Sequence, residues 1–304
     1  MRRARALLLV IALLLSACGS GPGGPTSTGS IPGAGTIALE VQVRDAIRRF
    51  VEAYAAAPSD RGTALLAVSR GTVMTHWAAW VSIQFGQLDA TISGTYALAA
   101  IRDVEEVTQP DVGPGRTVLA QVQAHVDFAI TQSGADPRTV SRSLDGPMLL
   151  AEALDGWRVL DFTRDGVPLS NTVYVFAPDA SLRDRGVEIG VDVLIADPNE
   201  WFLGLTVHNR ADAPVGIPAA GVGLLDADDQ LIGRGDVPTS VAAIPVGSSL
   251  DALIRFPVPA NVTVTGLRLF VAATIEGDDQ PVVVALPVEP ILTALGRSTA
   301  SPSP

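Results

Sequence analysis

A strictly alternating stretch, residues 118–130, is the sequence feature that most constrains the fold. Its even-numbered residues are all apolar, whereas its odd-numbered residues include Gln121, Gln123, His125 and Asp127. A period of two residues places successive side chains on opposite faces of a β-strand. We therefore expect a long strand here, with one face against a core and the other in water.

Helical segments precede this strand. Residues 37–57 carry apolar side chains at helical spacing with Arg and Glu opposite, and Pro58 is expected to end this amphipathic helix. A second helical segment is expected over residues 63–88, where Gly71 can divide it in two. Residues 95–108 fit either a strand or a helical piece.

Two further strands, 140–154 and 157–163, are expected to meet at Asp155-Gly156, a favoured two-residue hairpin turn. The expected order is helices first and then a bent antiparallel sheet, which ends in the segment LDGWRVLDF (154–162). This order and the closing hairpin resemble the NTF2-like superfamily. The resemblance implies that residues 37–170 form an α+β domain, with helices packed on a curved sheet around a conical cavity. That superfamily includes enzymes, transport adaptors and extracellular modules, so the resemblance does not fix a function.

Residues 171–296 contain six or seven short apolar runs separated by Pro, Gly and Asp. Alternating sets run from Val187 to Val193 and from Trp201 to Val207, and regular short strands are typical of a β-sandwich. The segments LTVHNRADAPV, GLLDADDQLI and LIRFPVP resemble immunoglobulin-like domains of bacterial surface lipoproteins. That resemblance implies an adhesion, spacing or docking module. The expected fold class is therefore α+β followed by an all-β immunoglobulin-like sandwich.

The N-terminus carries the strongest functional signal. Three Arg residues within positions 2–5 precede an uninterrupted apolar run over residues 6–15. A membrane-spanning helix needs about 20 apolar residues, so this run is too short to span a bilayer. Its length and flanks are typical of a secretory signal peptide, which we expect over residues 1–17.

The order Leu15-Ser16-Ala17-Cys18 resembles the lipobox of bacterial lipoproteins. The resemblance implies cleavage between Ala17 and Cys18 and acylation of the Cys18 thiol. Buried acyl methylenes contribute about 0.8 kcal/mol each, so acyl chains on Cys18 anchor a protein to a membrane. Because a lipoprotein is secreted, the expected partner is the outer side of a bacterial cell membrane. An ordinary signal peptide with a chance Cys is the alternative, and the presence of a single Cys in the chain favours the lipobox.

Low-complexity sequence follows the expected cleavage point and ends the chain. Residues 18–36 are rich in Gly, Ser and Pro, so we expect the lipidated Cys and a flexible tether there. Residues 297–304 are expected to form a disordered tail.

Composition excludes several classes of function. All 21 basic residues are Arg, and 32 acidic residues give a net charge of −11. No basic stripe is present to neutralise phosphates, so no nucleic-acid partner is expected. One Cys and three His argue against Cys-rich or His-rich metal sites, and no nucleotide-binding or hydrolase motif is present. No cofactor is expected.

Three residues are candidates for catalysis: His76, His125 and Asp127. His125 and Asp127 share one face of the alternating strand and can pair. Two Gln residues on that face favour a solvated surface instead. His76 adjoins Trp77 on a helix, which is also typical of a His at the edge of a core. We therefore predict that the protein is not an enzyme.

Asp226, Asp228 and Asp229 are the candidates for a metal site. A calcium-binding EF-hand loop needs Gly at its sixth position and Glu at its twelfth. Counted from Asp226, those positions hold Leu231 and Thr239. A solvated hairpin turn is the better interpretation.

The sequence therefore predicts a lipid-anchored cell-envelope protein with a non-catalytic binding or scaffolding role. Its partner would be an unknown envelope protein or a small apolar ligand. Two alternatives stay open: a small-molecule binder or enzyme that uses the cavity of the first domain, and an accessory subunit of an envelope transport or secretion complex.

Overall fold

The computed structural model describes residues 34–86, 90–109, 115–132, 134–177, 180–197, 200–238, 241–257 and 266–295. Ala17, Cys18, most of the tether and the C-terminal tail lie outside these residues, so signal cleavage and lipidation stay predictions. Within the described ranges, no helix is both long and apolar enough to cross a membrane.

Three helices come first: α1 (Ala34–Ala55), α2 (Pro58–Val68) and α3 (Thr72–Gly86). Pro58 begins α2, where its missing N–H leaves no helical hydrogen bond unmade. Gly71, with a φ of 92°, separates α2 from α3, as its position predicted. A β-carbon makes that conformation unfavourable, which is why a Gly stands at the break.

The first sheet has six antiparallel strands: β1 (Ala90–Val107), β2 (Thr117–Gln132), β3 (Arg138–Ser143), β4 (Gly146–Ala153), β5 (Gly156–Arg164) and β6 (Val167–Pro168). Their order is β1-β2-β4-β5-β6, and β3 pairs with the C-terminal half of β2. The alternation predicted for β2 is confirmed, because its even-numbered side chains from Val118 to Ile130 are buried.

The predicted strand over residues 140–154 is divided between β3 and β4. Asp145 lies at the break, and its carboxylate accepts a hydrogen bond from the Ala124 amide at 3.0 Å. The predicted hairpin between β4 and β5 is present, but its turn residues are Leu154 and Asp155, one position earlier than expected.

Two more antiparallel sheets follow. Their strands are β7 (Val173–Val175), β8 (Ser181–Asp184), β9 (Val187–Ala196), β10 (Glu200–Asn209), β11 (Val215–Gly216), β12 (Val222–Leu225), β13 (Leu231–Arg234), β14 (Ser249–Pro257), β15 (Arg268–Ile275) and β16 (Val282–Pro287). The sheet β14-β10-β9-β7, with β8 also on β9, is called the junction sheet below. The sheet β11-β15-β12-β13, with β16 on β15, is the distal sheet, and helix α4 (Glu289–Ala294) follows it.

The central strands of the junction sheet contribute side chains to hydrophobic cores on both faces. Its Trp201, Leu203 and Leu205 belong to a core shared with the distal sheet. Its Phe202 and Leu253 belong instead to the core of the helices and the first sheet. The junction sheet therefore separates two hydrophobic cores and belongs to both.

A β-bulge in β9 changes which core its odd-numbered side chains face. The pairing with β10 skips Asp192, so that Val191 faces Leu205 whereas Val193 faces Gly204. Val191 lies in the distal core and Val193 lies in the first core. The predicted one-faced alternation from Val187 to Val193 therefore ends at Val191, since an extra residue reverses the side-chain phase.

The predicted fold class, an NTF2-like α+β domain followed by an immunoglobulin-like sandwich, is wrong. Of the described residues, 52% are in strands and 22% in helices, so the structure is mostly β and is richer in strands than an NTF2-like α+β fold. Residues 95–108, whose sequence fitted either element, belong to the eighteen-residue strand β1. Pairing along nearly all of β2 outweighs the weak local preference of this Ala-containing segment.

Candidate functional site

A cavity of about 330 Å³ lies between the helices, the first sheet and the junction sheet. Its walls come from α1, α2, α3, β2, β3, the end of β5, and strands β9, β10 and β14. Sites for small molecules have volumes of roughly 300–1,000 Å³, so this cavity is at the small end of that range.

Aromatic side chains from both halves of the chain line the cavity. Tyr54 of α1 stacks on Trp77 of α3, with ring centroids 5.8 Å apart and an interplanar angle of 13°. The Tyr54 ring is also 5.8 Å from that of Phe128 on β2. Phe202 of β10 lines the cavity from the junction sheet. These four rings form an apolar part of the lining, but each is at most 6% exposed, so only their edges reach the cavity.

Arg61 of α2 lies among these rings with 1% of its surface exposed. Its guanidinium carbon is 4.6 Å from the Phe128 ring centroid, and its Nη2 donates a hydrogen bond to the Ala56 carbonyl at 2.8 Å. Burial lowers the pKa of Arg61 to about 10, although Tyr54 opposes the shift. Since this value is well above 7, Arg61 is a buried cation at neutral pH.

Tyr54 is held in its neutral form by the same environment. Burial is the largest cause of the raised pKa of its phenol, and nearby Arg164 and Arg142 only partly oppose the shift. At neutral pH its hydroxyl therefore serves as a hydrogen-bonding group and not as a base.

Two more Arg residues reach the cavity from β3. Arg138, Val140 and Arg142 alternate along the strand and therefore share one face. Val140 pairs with Phe128, so Arg138 and Arg142 lie two residues to either side of the pair. Asp165 accepts a hydrogen bond from Arg142 at 3.1 Å, whereas no ion pair of Arg138 is found among the described residues.

Ion pairs line the wall that faces the junction sheet. Arg164, at the end of β5, pairs with Asp197, which follows β9, and this pair joins the two halves of the chain. Arg255 of β14 lies 2.5 Å from Glu200 and 3.1 Å from Asp236. Each carboxylate in this wall therefore already contacts a guanidinium group.

The cavity has an excess of positive charge. Five Arg residues and two carboxylates line it, and the outer carboxylates Asp165 and Asp236 bond two of these Arg residues. One positive charge is left when all four carboxylates are counted. The complete chain has a net charge of −11, so the cavity is positive within an acidic protein.

The structure brings together two of the three residues proposed for catalysis. His125 Nε2 and Asp127 Oδ1 are 2.9 Å apart on the exposed face of β2. Ser141 of β3 donates a hydrogen bond to the same Asp127 oxygen. This bond and then His125 lower the pKa of the Asp127 carboxyl.

The order of these side chains does not activate a nucleophile. Asp127 lies between His125 and Ser141, whereas a nucleophilic Ser needs its base directly beside the hydroxyl. The cluster also faces away from the cavity. His76 belongs neither to this cluster nor to the cavity lining. Its Nδ1 lies 2.9 Å from the Thr72 carbonyl oxygen within α3.

The acidic segment forms a hairpin turn between β12 and β13, as its sequence favoured. Asp226 Oδ1 accepts hydrogen bonds from the amides of Asp228 at 2.9 Å and Gln230 at 2.8 Å. Asp229 pairs with Arg268 of β15. Within the ranges that the structure covers, no group of three or more His, Cys, Asp or Glu residues is arranged to hold a metal ion.

Sequence reasoning missed the Arg residues of the cavity. They lie at positions 61, 138, 142, 164 and 255, and no local motif connects them. The alternation of Arg138, Val140 and Arg142 is the one local signal. By itself, that pattern is also typical of an exposed strand edge.

No protein-family model and no curated protein matches the chain. Among solved structures, the chain is similar to the intermembrane space region of the chloroplast protein ARC6, with 17% sequence identity and a TM-score of 0.27. The match covers 41% of this chain and 95% of that one. A TM-score this low supports no conclusion about fold or function.

Proposed function

We propose that this chain is a lipid-anchored protein of the bacterial cell envelope that binds a small molecule in the cavity between its two halves. The cavity carries the proposal, because its aromatic walls and convergent charged groups are typical of a ligand site. The lipobox-like sequence ending at Cys18 supports the location.

Binding agrees better than catalysis with the cavity chemistry. The titratable groups in its described lining are Arg, Tyr, Asp and Glu. Tyr54 is neutral at pH 7, and Asp197 and Glu200 are each held by an Arg. General acid–base catalysis needs a group that exchanges its proton near neutral pH, and His is the usual one. None of the three His residues lines the cavity.

A role as a complex subunit has less support. Among the described residues, the eight large apolar side chains that are exposed lie on eight different elements or loops, among them Val41 of α1, Leu66 of α2 and Val283 of β16. Scattered apolar residues are normal on protein surfaces, whereas a docking face is a continuous patch.

Cavity binding can be tested with a matched pair of blocking variants. Val140 lines the cavity, and Thr139 is exposed on the other face of the same strand. N-phenylnaphthylamine, a neutral fluorophore, should bind the unmodified protein and Thr139→Trp. Val140→Trp fills the cavity and should bind it at least tenfold more weakly. Equal affinity in all three proteins, or no binding to any of them, would overturn the cavity assignment.

Anchoring has a separate test. Cys18→Ala removes the thiol that lipidation needs, so the protein should leave the membrane fraction of an expressing bacterium. Ser20→Ala lies just beyond the motif and should stay membrane-bound. Membrane fractionation that is unchanged by Cys18→Ala would contradict the proposed anchor.

A further inference from the structure

Strand β1 forms one edge of the first sheet. On one side it pairs with β2, and among the residues that the structure describes no backbone hydrogen bond joins its other side to any element. An unpaired edge presents a row of N–H and C=O groups on which another strand can add. With eighteen residues, β1 is the longest strand in the described part of the chain. It therefore offers a long edge for such an addition.

The two halves of this edge differ in how they are protected. In the C-terminal half, the register with β2 shifts after Leu98 and again after Arg102, and Asp103 has a φ of 49°. Four of the five residues 102–106 are charged. Bulges and charges are the devices that keep an edge from pairing. Residues 90–98, called the open edge below, pair with β2 without a shift and contain neither a charged residue nor Pro.

The open edge is complementary to a second copy of itself. A two-fold antiparallel pair centred on Gly94 places all nine residues opposite one another. Ile92 then faces Tyr96 on the inner side of the sheet, and Ser93 faces Thr95 on the outer side. A β-branched residue opposite an aromatic ring and Ser opposite Thr are favourable cross-strand pairs. No like charges meet in this register.

The exposed ring of Tyr96 also points to a partner at this edge. It is 41% exposed, although Ile92 on the same side of β1 is 5% exposed. The Tyr96 hydroxyl donates a hydrogen bond to Glu52 of α1 at 2.8 Å, so the ring is already held in place. Tyrosine is enriched at protein interfaces. In the two-fold pair, Ile92 of the second copy would lie beside this ring and cover it.

Other parts of the same chain are less suitable occupants. Residues 19–33 contain three Pro residues, and residues 297–304 contain two. Pro has no N–H for a strand ladder, so it weakens any strand that these segments could add. A second copy of the open edge supplies nine residues without Pro.

We infer that the chain forms a two-fold dimer in which the open edges of two copies pair antiparallel. The pairing joins two six-stranded sheets into one continuous sheet. Backbone hydrogen bonds hold such a contact, so it does not need a continuous apolar patch. Residues 90–98 do not line the cavity, so this inference is independent of the proposed ligand binding.

A cysteine pair tests the register in the membranes of expressing bacteria. Opposite residues of an antiparallel pair have Cα atoms about 4.5–5.5 Å apart, and disulfides span about 4.4–6.8 Å. Two differently tagged full-length chains, one with Ser93→Cys and one with Thr95→Cys, should therefore form a disulfide-linked heterodimer on oxidation. The control combines Ser93→Cys with Thr139→Cys, because Thr139 is exposed on β3. It should give at least tenfold less product. Cys18 is unchanged in every chain, so any product that it forms appears in the control too.

Two double variants test the contact without a covalent link. Ser93→Arg with Thr95→Arg brings like charges opposite each other, whereas Ser93→Arg with Thr95→Glu brings opposite charges together at the same positions. Native mass spectrometry of the purified full chain should show dimerisation at least tenfold weaker in the first variant and retained in the second. Both variants change the same two exposed residues, so a difference between them reports pairing and not folding.

The possible outcomes are distinct. A matched cysteine pair that gives no more product than the control would overturn the pairing. A dimer that survives the like-charge variant would form through another surface and would also overturn it. A disulfide product that contains a different protein would assign the open edge to that protein and reject the second copy. None of these results affects the tests of the cavity.

Discussion

The two faces of strands β2 and β3 differ in nearly every property. The outer face carries His125, Asp127 and Ser141, which bond one another in contact with solvent. The inner face carries Phe128 and Ile130 on β2, with Arg138, Val140 and Arg142 opposite them on β3. Residues only one position apart along the same strands therefore lie in water or in a cavity.

The contrast shows that the surroundings of a polar side chain affect the strength of its interactions more than its residue type does. His, Asp and Ser are frequent catalytic residues, yet on the outer face their charges and hydrogen bonds are shared with water. Arg is also common on protein surfaces. Arg61 of α2, however, is buried against the inner face, where it lies over the Phe128 ring. A polar group matters most where water is excluded, since electrostatic interactions are stronger there.

The largest expected effect follows from removal of an inner aromatic ring. Phe128→Ala should lower the free energy of unfolding by about 3–5 kcal/mol, because it leaves a void beneath Arg61 and Tyr54. The matched outer-face variant Gln123→Ala should change it by less than about 0.5 kcal/mol. Urea denaturation measures both. Similar losses for the two variants would contradict the contrast between the faces.

Gly204 tests how closely the junction sheet approaches α3. A Cβ at this position would lie 2.7 Å from atoms of the Trp80 indole and of Val193. Gly204→Ala should therefore cost about 1–3 kcal/mol by overpacking. At Gly190 on the neighbouring strand, the nearest atom to an added Cβ is 3.7 Å away. Gly190→Ala should therefore show no such loss. A thermal melt of the two variants makes the comparison.

The smallest effect concerns the outer face. The pKa of Asp127 is lowered in the folded protein, so its contribution to stability exists above the unfolded pKa and disappears as pH falls through the folded pKa. Ser141→Ala removes the main cause and should raise the pKa of Asp127 in an NMR titration. Thr139→Ala, on the same face, should leave this pKa in place. An unmoved pKa in Ser141→Ala would exclude the serine as its cause.

Local patterns in the sequence predicted individual elements better than their assembly. The period of β2, the end of α1 before Pro58 and the helix break at Gly71 follow from side-chain spacing and backbone preference. The predicted fold class was wrong because pairing between distant segments decides sheet content. The length of β1, for example, follows from its pairing with β2.

The candidate site was harder to predict for the same reason. Arg61 and Arg255 are far apart in sequence, and only the packing of α2 and the junction sheet brings them to one cavity. The period of β3 indicates that Arg138 and Arg142 share a face. It does not indicate that both residues line a cavity. The other walls of the cavity come from segments on either side in the chain, which no local pattern reveals.

The shared cavity has a consequence for how the protein is made. A ribosome releases the chain from its N-terminus, so the helices and the first sheet emerge before β14 and its Arg255. Until β14 is in place, the part of the cavity wall that Arg255 contributes is missing. The complete cavity therefore exists only in a chain that extends past residue 255 and has folded as a whole. A bound ligand would mark a chain whose two halves have both been completed and assembled.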